Sequence, residues 1–236
     1  MSIPFQQTAR TVKFCGDRIT EEEKEIIGAC LPYDDLPENY DPIISDPVKN
    51  NLHGGTAEGV AYLKVWLKML PRFPKTYLEA FIAQSSGYYS FTPEYTEAQR
   101  YGPGSHANVG MTVFNWVKDS RFEDNITCEY LPEMGGMRSF LDDWVMVWHQ
   151  LPILNLTDCK PLYTWAILML GWLLLKRREY LGLLPVFACL LMVLTCVASP
   201  VNDCFRYYAP VAAAFPGLLA LLKLSLQIYP KTERSV

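Results

Sequence analysis

The sequence predicts a mainly α-helical protein in two parts: an extracytoplasmic domain of helices and irregular segments over residues 1–156, then three transmembrane helices over residues 157–236. Three observations carry that reading. Apolar runs crowd the last third, at about 161–175, 180–198 and 207–228. Charge divides at the same boundary: residues 1–156 hold 13 Lys/Arg against 21 Asp/Glu, and residues 157–236 hold 8 against 4. No stretch has the strict alternation of a half-buried strand. The net charge of −4 and the 50% apolar content are therefore averages over two solvents. They exclude a disordered or collagen-like chain and, lacking any basic excess, a nucleic-acid partner.

The elements follow in chain order. Pro4 suits the first turn of a helix running to about Phe14. Thr20 with Glu23 forms a capping box opening a short helix to about Cys30. The Pro-, Asp- and Asn-rich stretch 31–55 reads as ordered turns. Thr56 opens a helix with Val60, Leu63, Leu67 and Leu70 on one face, ending before Pro71. Pro74 starts another, with Tyr77, Leu78, Phe81 and Ile82 apolar, and residues 85–110 form a Tyr-, Gly- and Ser-rich loop. Residues 137–151 carry Phe140, Leu141, Trp144, Val145 and Trp148 at helical spacing. Such a helix suits either the membrane interface or a core stripe of the outer domain.

A spanning helix needs about 20 predominantly apolar residues. The second and third runs meet this, and the first reaches it by extending through 154–156 or by letting Lys160 and Lys176 snorkel. Short connections and apolar residues on every side argue against three core helices of a soluble protein. Pro185, Pro210 and Pro216 are tolerable where neighbours satisfy the freed carbonyls. Lys176, Arg177 and Arg178 lie between the first two runs, and Lys231 and Arg234 in the tail; only Lys160 and Arg206 lie on the other side. The basic loop and C-terminus are thus expected in the cytoplasm, with residues 1–156 outside. Because the first residues have no apolar signal core, the sequence leads us to expect either the reverse orientation or spans ahead of Met1.

Little of the chemistry is motif-like. His53, His106 and His149 stand without a second ligand at metal spacing, and Asp34, Asp35 and Asp46 fit no cation loop, so no metal is expected. There is no P-loop, GxGxxG or GxSxG, hence no expected cofactor and no identified catalytic residue. Seven cysteines include no CxxC and imply no disulfide framework. Asn125 and Asn155 head glycosylation sequons. Tyr88, Tyr89, Phe91, Tyr95 and Tyr101 offer faces for stacking sugar rings, or pack as an ordinary loop.

Two stretches are more specific. Gln6, Gln7 and Arg10 share a helical turn, where amides can bond sugar hydroxyls and a guanidinium can clamp a phosphate. The same groups equally suit a helix tied to a packed neighbour. Arg206 and Tyr207 open the third span at headgroup depth, where the natural partner is a lipid phosphate or pyrophosphate. The alternatives there are a snorkelling anchor or a pair with Asp203.

At these stretches the sequence resembles an uncharacterised family of bacterial, mainly Firmicutes, multi-spanning membrane proteins that look like GT-C type glycosyltransferases. The pieces that carry it are SIPFQQTAR at 2–10, EEEKEII at 21–27, YDPIISDPVKN at 40–50, YLKVWLKMLPRFPKTYLEAF at 62–81 and SPVNDCFRYYAPV at 199–211. The resemblance covers essentially the whole chain, as the C-terminal part of longer relatives. It implies a bacterial cell-membrane protein, in contact with the lipid bilayer, that moves a sugar from a polyprenyl-phosphate-linked donor to an external acceptor. In such a reaction an acidic residue activates the acceptor hydroxyl and basic groups stabilise the leaving phosphate. The catalytic carboxylate of that architecture lies on a first external loop with no counterpart here, so the chain is expected not to be catalytic alone. The resemblance places Gln6, Gln7 and Arg10 near the acceptor or donor headgroup, and Arg206 and Tyr207 at the lipid phosphate. The competing expectation is a non-catalytic three-span membrane protein whose outer domain binds a partner or a cell-envelope glycan.

Overall fold

The structure is a computed structural model that describes residues 1–92 and 131–228. Tyr95, Tyr101, His106, Cys128, the Asn125 sequon and the basic tail (Lys231, Arg234) lie outside the described residues. The described residues are mainly helical; their β pairing is limited to an isolated antiparallel bridge between Ile44 and Val201.

The N-terminal domain is built around α1 (Ser2–Cys15). Phe5, Ala9 and Val12 recur at helical spacing and point into the core, while Gln6, Gln7, Thr8 and Thr11 on other faces are buried as well. A helix covered on so many sides is a central one. The capping box of α2 (Glu21–Gly28) forms as expected: the Glu23 amide donates to Thr20 Oγ1 at 3.3 Å and the Thr20 amide to Glu23 Oε2 at 3.0 Å. The turn-rich stretch contains two single-turn helices, α3 (Leu36–Asn39) and α4 (Asp46–Lys49), each with a proline in its first turn.

On α5 (Thr56–Met69) the structure corrects the expected core face. Tyr62, Val65 and Met69 are buried, whereas Val60, Leu67 and Leu70 are exposed. The helix has two apolar stripes, and polar handles select between them. Tyr62 Oη lies 2.8 Å from Thr8 Oγ1, and Trp66 Nε1 donates to Gln7 Oε1 at 2.9 Å. α6 (Pro74–Ser85) likewise buries Tyr77, Ala80 and Ala83 and leaves Leu78 and Ile82 outside. Its small residues let it pack closely along α1.

The C-terminal half opens with α7 (Gly135–Gln150) and the single turn α8 (Pro152–Asn155). Three long helices follow: α9 (Lys160–Arg177), α10 (Leu183–Val197) and α11 (Phe205–Ile228). Ile167, Leu170, Leu174, Val186, Cys189, Val193, Tyr208 and Val211 form their shared core. Gly171 allows α9 to approach α10, since a Cβ there would stand 3.1 Å from Val186 Cγ1. α9 ends in a Schellman motif with Arg178 at φ 62°: the Glu179 amide donates to Leu174 O and the Arg178 amide to Leu175 O. Tyr180–Val197 (mean hydropathy 2.4) and Phe205–Lys223 (1.3) are long and apolar enough to cross a membrane. Only 22% and 17% of these segments is buried, unlike the core helices of a soluble protein. α9 carries Lys160 at one end and Lys176 and Arg177 at the other.

Candidate functional site

The densest polar arrangement lies where the two halves meet. Four segments converge there: residues 41–45, residues 83–89 at the end of α6, the loop 199–204 between α10 and α11, and the first turns of α9. The loop pairs with residues 43–45 through Ser45 N–H to Pro200 O and Asn202 N–H to Ile43 O, both 2.8 Å. Asn202 is wholly buried and reads both ends of its amide: Nδ2 donates to Ala83 O at 2.9 Å, and Oδ1 accepts from the Gly87 amide at 2.9 Å. Gln84 Nε2 donates to Ser199 O at 3.0 Å.

Tyr88 penetrates the core of the long helices. Its hydroxyl donates to Val201 O at 2.8 Å and accepts from the Cys204 amide at 3.2 Å, while its carbonyl accepts from Thr164 Oγ1 at 2.7 Å. Burial pushes the Tyr88 phenol well above its ordinary value, which keeps it a donor. Lys160 Nζ reaches Asp203 Oδ1 at 2.9 Å, with the two side chains only 3% and 12% exposed. Asp203 sits at φ 58°, a left-handed conformation that Asp and Asn adopt more readily than most residues. Gly87 is required by proximity: a Cβ there would fall 2.5 Å from Asp203 Cβ and 2.9 Å from its Cα. The buried ion pair, the left-handed backbone and the glycine contact all meet at Asp203. Gln6 Oε1, Ser45 Oγ, Gln84 Oε1 and Ser86 Oγ, on the segments that build or adjoin this junction, are buried without a protein hydrogen-bond partner. Such atoms are commonly satisfied by ordered water.

Over residues 1–233 the sequence matches the family of unknown function DUF6020. The chain belongs to that family. No curated protein and no solved structure matches it. In this DUF6020 chain, four of the five stretches named above lie in the N-terminal domain, and the fifth, 199–211, supplies the loop and the start of α11.

The expected site residues fall into two groups. Gln6 and Gln7 are buried, and they do not present their amides to solvent. Gln6 Nε2 donates to Asp41 O at 2.9 Å and Ile44 O at 2.6 Å, and Gln7 Nε2 donates to Tyr77 O at 3.1 Å. Arg10 donates to Glu79 Oε2 at 2.8 Å and Tyr40 Oη at 3.0 Å. Burial alone would lower its pKa, but those two hydrogen bonds outweigh it and raise the value further. In this structure the three residues tie α1 to its neighbours, the second role their chemistry allowed. Arg206 and Tyr207 instead stand exposed on the first turn of α11, with the guanidinium carbon 5.2 Å from the Tyr207 ring centroid.

Asp203 entered the sequence reading only as a possible partner of Arg206, and Lys160 only as an anchor. Their pairing joins residues 43 positions apart and leaves no local signal. The six described cysteines are free thiols, and no three His, Cys, Asp or Glu side chains cluster as metal ligands among the described residues.

Proposed function

We propose that this chain forms part of a bacterial membrane glycosyltransferase of GT-C type, in which Arg206 and Tyr207 receive the phosphate of a polyprenyl-linked sugar. The supporting observation is the exposed Arg206–Tyr207 pair on the first turn of a helix long and apolar enough to cross a bilayer. Headgroup depth is where a span begins, and the positive end of a helix favours an anion. The polar junction holds that turn rigid, because Tyr88 and Asn202 fix the loop that precedes it.

In this proposal α9 is a third span. Its 18 residues cover about 27 Å at 1.5 Å per residue, near the hydrocarbon thickness, and its charges stand at both ends. Lys176, Arg177 and Arg178 lie at the end of α9 away from the junction, so the positive-inside rule puts the junction and helices α1–α6 outside. The test is binding of polyprenyl phosphate to the protein in lipid nanodiscs, read by native mass spectrometry. Arg206→Ala is expected to weaken binding at least about tenfold, in line with a lost charged hydrogen bond. Unchanged affinity removes the phosphate role.

A second reading has one observation in its favour. A shallow groove of about 380 Å³, lined by Gln7 together with Leu70, Pro71, Pro74, Tyr77, Leu78 and Phe81, opens beside α6. Such a surface suits a non-catalytic outer domain that docks a partner or an envelope glycan. Leu78→Asp would then abolish capture of that partner and leave lipid-phosphate binding intact.

A further inference from the structure

The helix least accounted for by the packing is α7. Met137, Phe140, Trp144, Val147 and Leu151 recur at intervals of three and four, the spacing of one helical face. All five are exposed, from 46% at Leu151 to 64% at Phe140. Of the stripe the helical spacing predicts, Phe140 and Trp144 are exposed and Leu141 and Trp148 half-buried, which is not the pattern of a core stripe. Among the described elements, the extended contacts of α7 are with the segments that flank it in the chain.

What covers this face is indicated by where the helix is attached. Trp148 Nε1 donates to Thr157 Oγ1 at 3.0 Å, and Thr157 O accepts from Tyr163 Oη at 3.0 Å. Those two bonds moor the end of α7 to the first turn of α9, beside the junction. The exposed apolar surface then continues along the chain through Ile153, Leu156 and Leu162 to Trp165 on α9. Tryptophans 144, 148 and 165 mark the kind of ring that settles at headgroup level.

We infer that α7 lies flat in the interfacial layer of the bilayer that surrounds α9–α11, with its Met137–Phe140–Trp144–Val147–Leu151 face among the upper acyl carbons. The occupant is lipid, and uncharged lipid suffices. The helix sequence holds Arg138 against Asp142 and Asp143, so apolar burial and not electrostatic attraction drives the contact. Attachment is therefore insensitive to salt.

This inference rests on the membrane reading of the long helices, and the experiment separates the two. The full chain is reconstituted in phosphatidylcholine nanodiscs, with and without lipid brominated at the upper acyl carbons, and compared with Trp144→Phe. The fluorescence difference between the two proteins reports Trp144. The expected result is strong quenching of that difference by brominated lipid and several-fold weaker quenching by aqueous iodide, unchanged by 0.5 M salt. Quenching by iodide alone would place the face in water and overturn the inference. Protection from both would mean a protein cover, a second copy or another partner, and would equally overturn it. Failure of the chain to enter nanodiscs at all would strike the membrane reading itself.

Discussion

The two cores of this molecule are alike inside and differ in how much charge surrounds them. The first gathers Phe5, Ile27, Leu31, Leu36, Tyr62 and Met69 around α1; the second gathers Ile167, Leu170, Leu174, Val186, Tyr208 and Val211 between α9 and α11. Both are apolar and closely packed. Around the first, charged groups such as Lys75 and Glu21 stand in solvent at 90% and 86% side-chain exposure. Around the second, the outward side chains are Leu181, Leu184, Phe187 and Leu194, each at least 60% exposed. Burial pattern alone thus does not separate the two regions; the outer faces do, and those of the second belong to helices two of which are long and apolar enough to cross a membrane. Polar side chains follow the same division. They lace the first core, and in the second they concentrate at the junction end, where Thr164 Oγ1 meets Tyr208 Oη at 2.7 Å.

The largest expected effect breaks the seam between the two regions. Lys160→Met leaves Asp203 charged and buried, and Asp203→Asn leaves Lys160 so. Each should destabilise the chain by about 3–5 kcal/mol. The double variant Lys160→Met/Asp203→Asn removes both charges and keeps a residue that tolerates the left-handed φ of 58°. It should regain most of the loss. Thermal unfolding in nanodiscs reads all three, and equal losses in single and double variants would mean the ion pair is not what holds the seam.

Matched truncations sharpen the comparison of the cores. Ile27 and Ile167 are both fully buried. Ile27→Ala should cost about 2–5 kcal/mol, since unfolding there exposes side chains to water. Ile167→Ala should cost about 2 kcal/mol or less, because lipid is as apolar as the core it leaves and only packing is lost. Equal costs would put both cores in water. The outer faces give the complementary test. Leu191→Lys, in the middle of α10, should cost about 2.5–3.5 kcal/mol in a bilayer, whereas Leu67→Lys on α5 should stay within about 0.5 kcal/mol. Both leucines are exposed, at 46% and 58%.

How much of this was legible in the sequence depended on how local each feature is. The capping box at Thr20 and Glu23, the proline starts and the long apolar helices are set within a few residues, and they stand where the sequence puts them. The choice of face on α5 was not legible. Its two apolar stripes are equally good by period, and what decides is the reach of Tyr62 to Thr8, 54 residues away. The junction was half legible. The stretch 199–211 stood out, but its ties to Gly87, Tyr88 and Lys160 cross 43 to 116 positions and have no spacing rule. Gln6, Gln7 and Arg10 were legible as a cluster but not as contacts: a polar cluster on a helix looks the same whether it faces a ligand or a neighbouring element.

The smallest expected effect is a pH dependence confined to the water-facing region. Glu23 is 1% exposed and accepts from Arg72 and from the Thr20 amide. Burial by itself would raise its pKa, but the hydrogen bonds of Arg72 and Thr20 outweigh that and hold it below the usual carboxylate value. A depressed native pKa means the unfolded chain binds the proton more readily. The stabilisation is therefore fully present above the unfolded value of about 4.3 and is lost as pH falls through the lower native value. Arg72 is 36% exposed, so the effect belongs at the low end for hydrogen bonds to a charged group, about 1.5 kcal/mol. Stability of the N-terminal domain, followed by hydrogen exchange in α2 and α5, should fall as pH drops below about 4.3, and Glu23→Gln should flatten that slope. Amides of α10, a helix without a carboxylate, should behave alike in the unaltered chain and in Glu23→Gln over the same range. A shared acid slope would mean that the two regions unfold as one unit, with the junction strong enough to transmit a loss of about 1.5 kcal/mol from one solvent to the other.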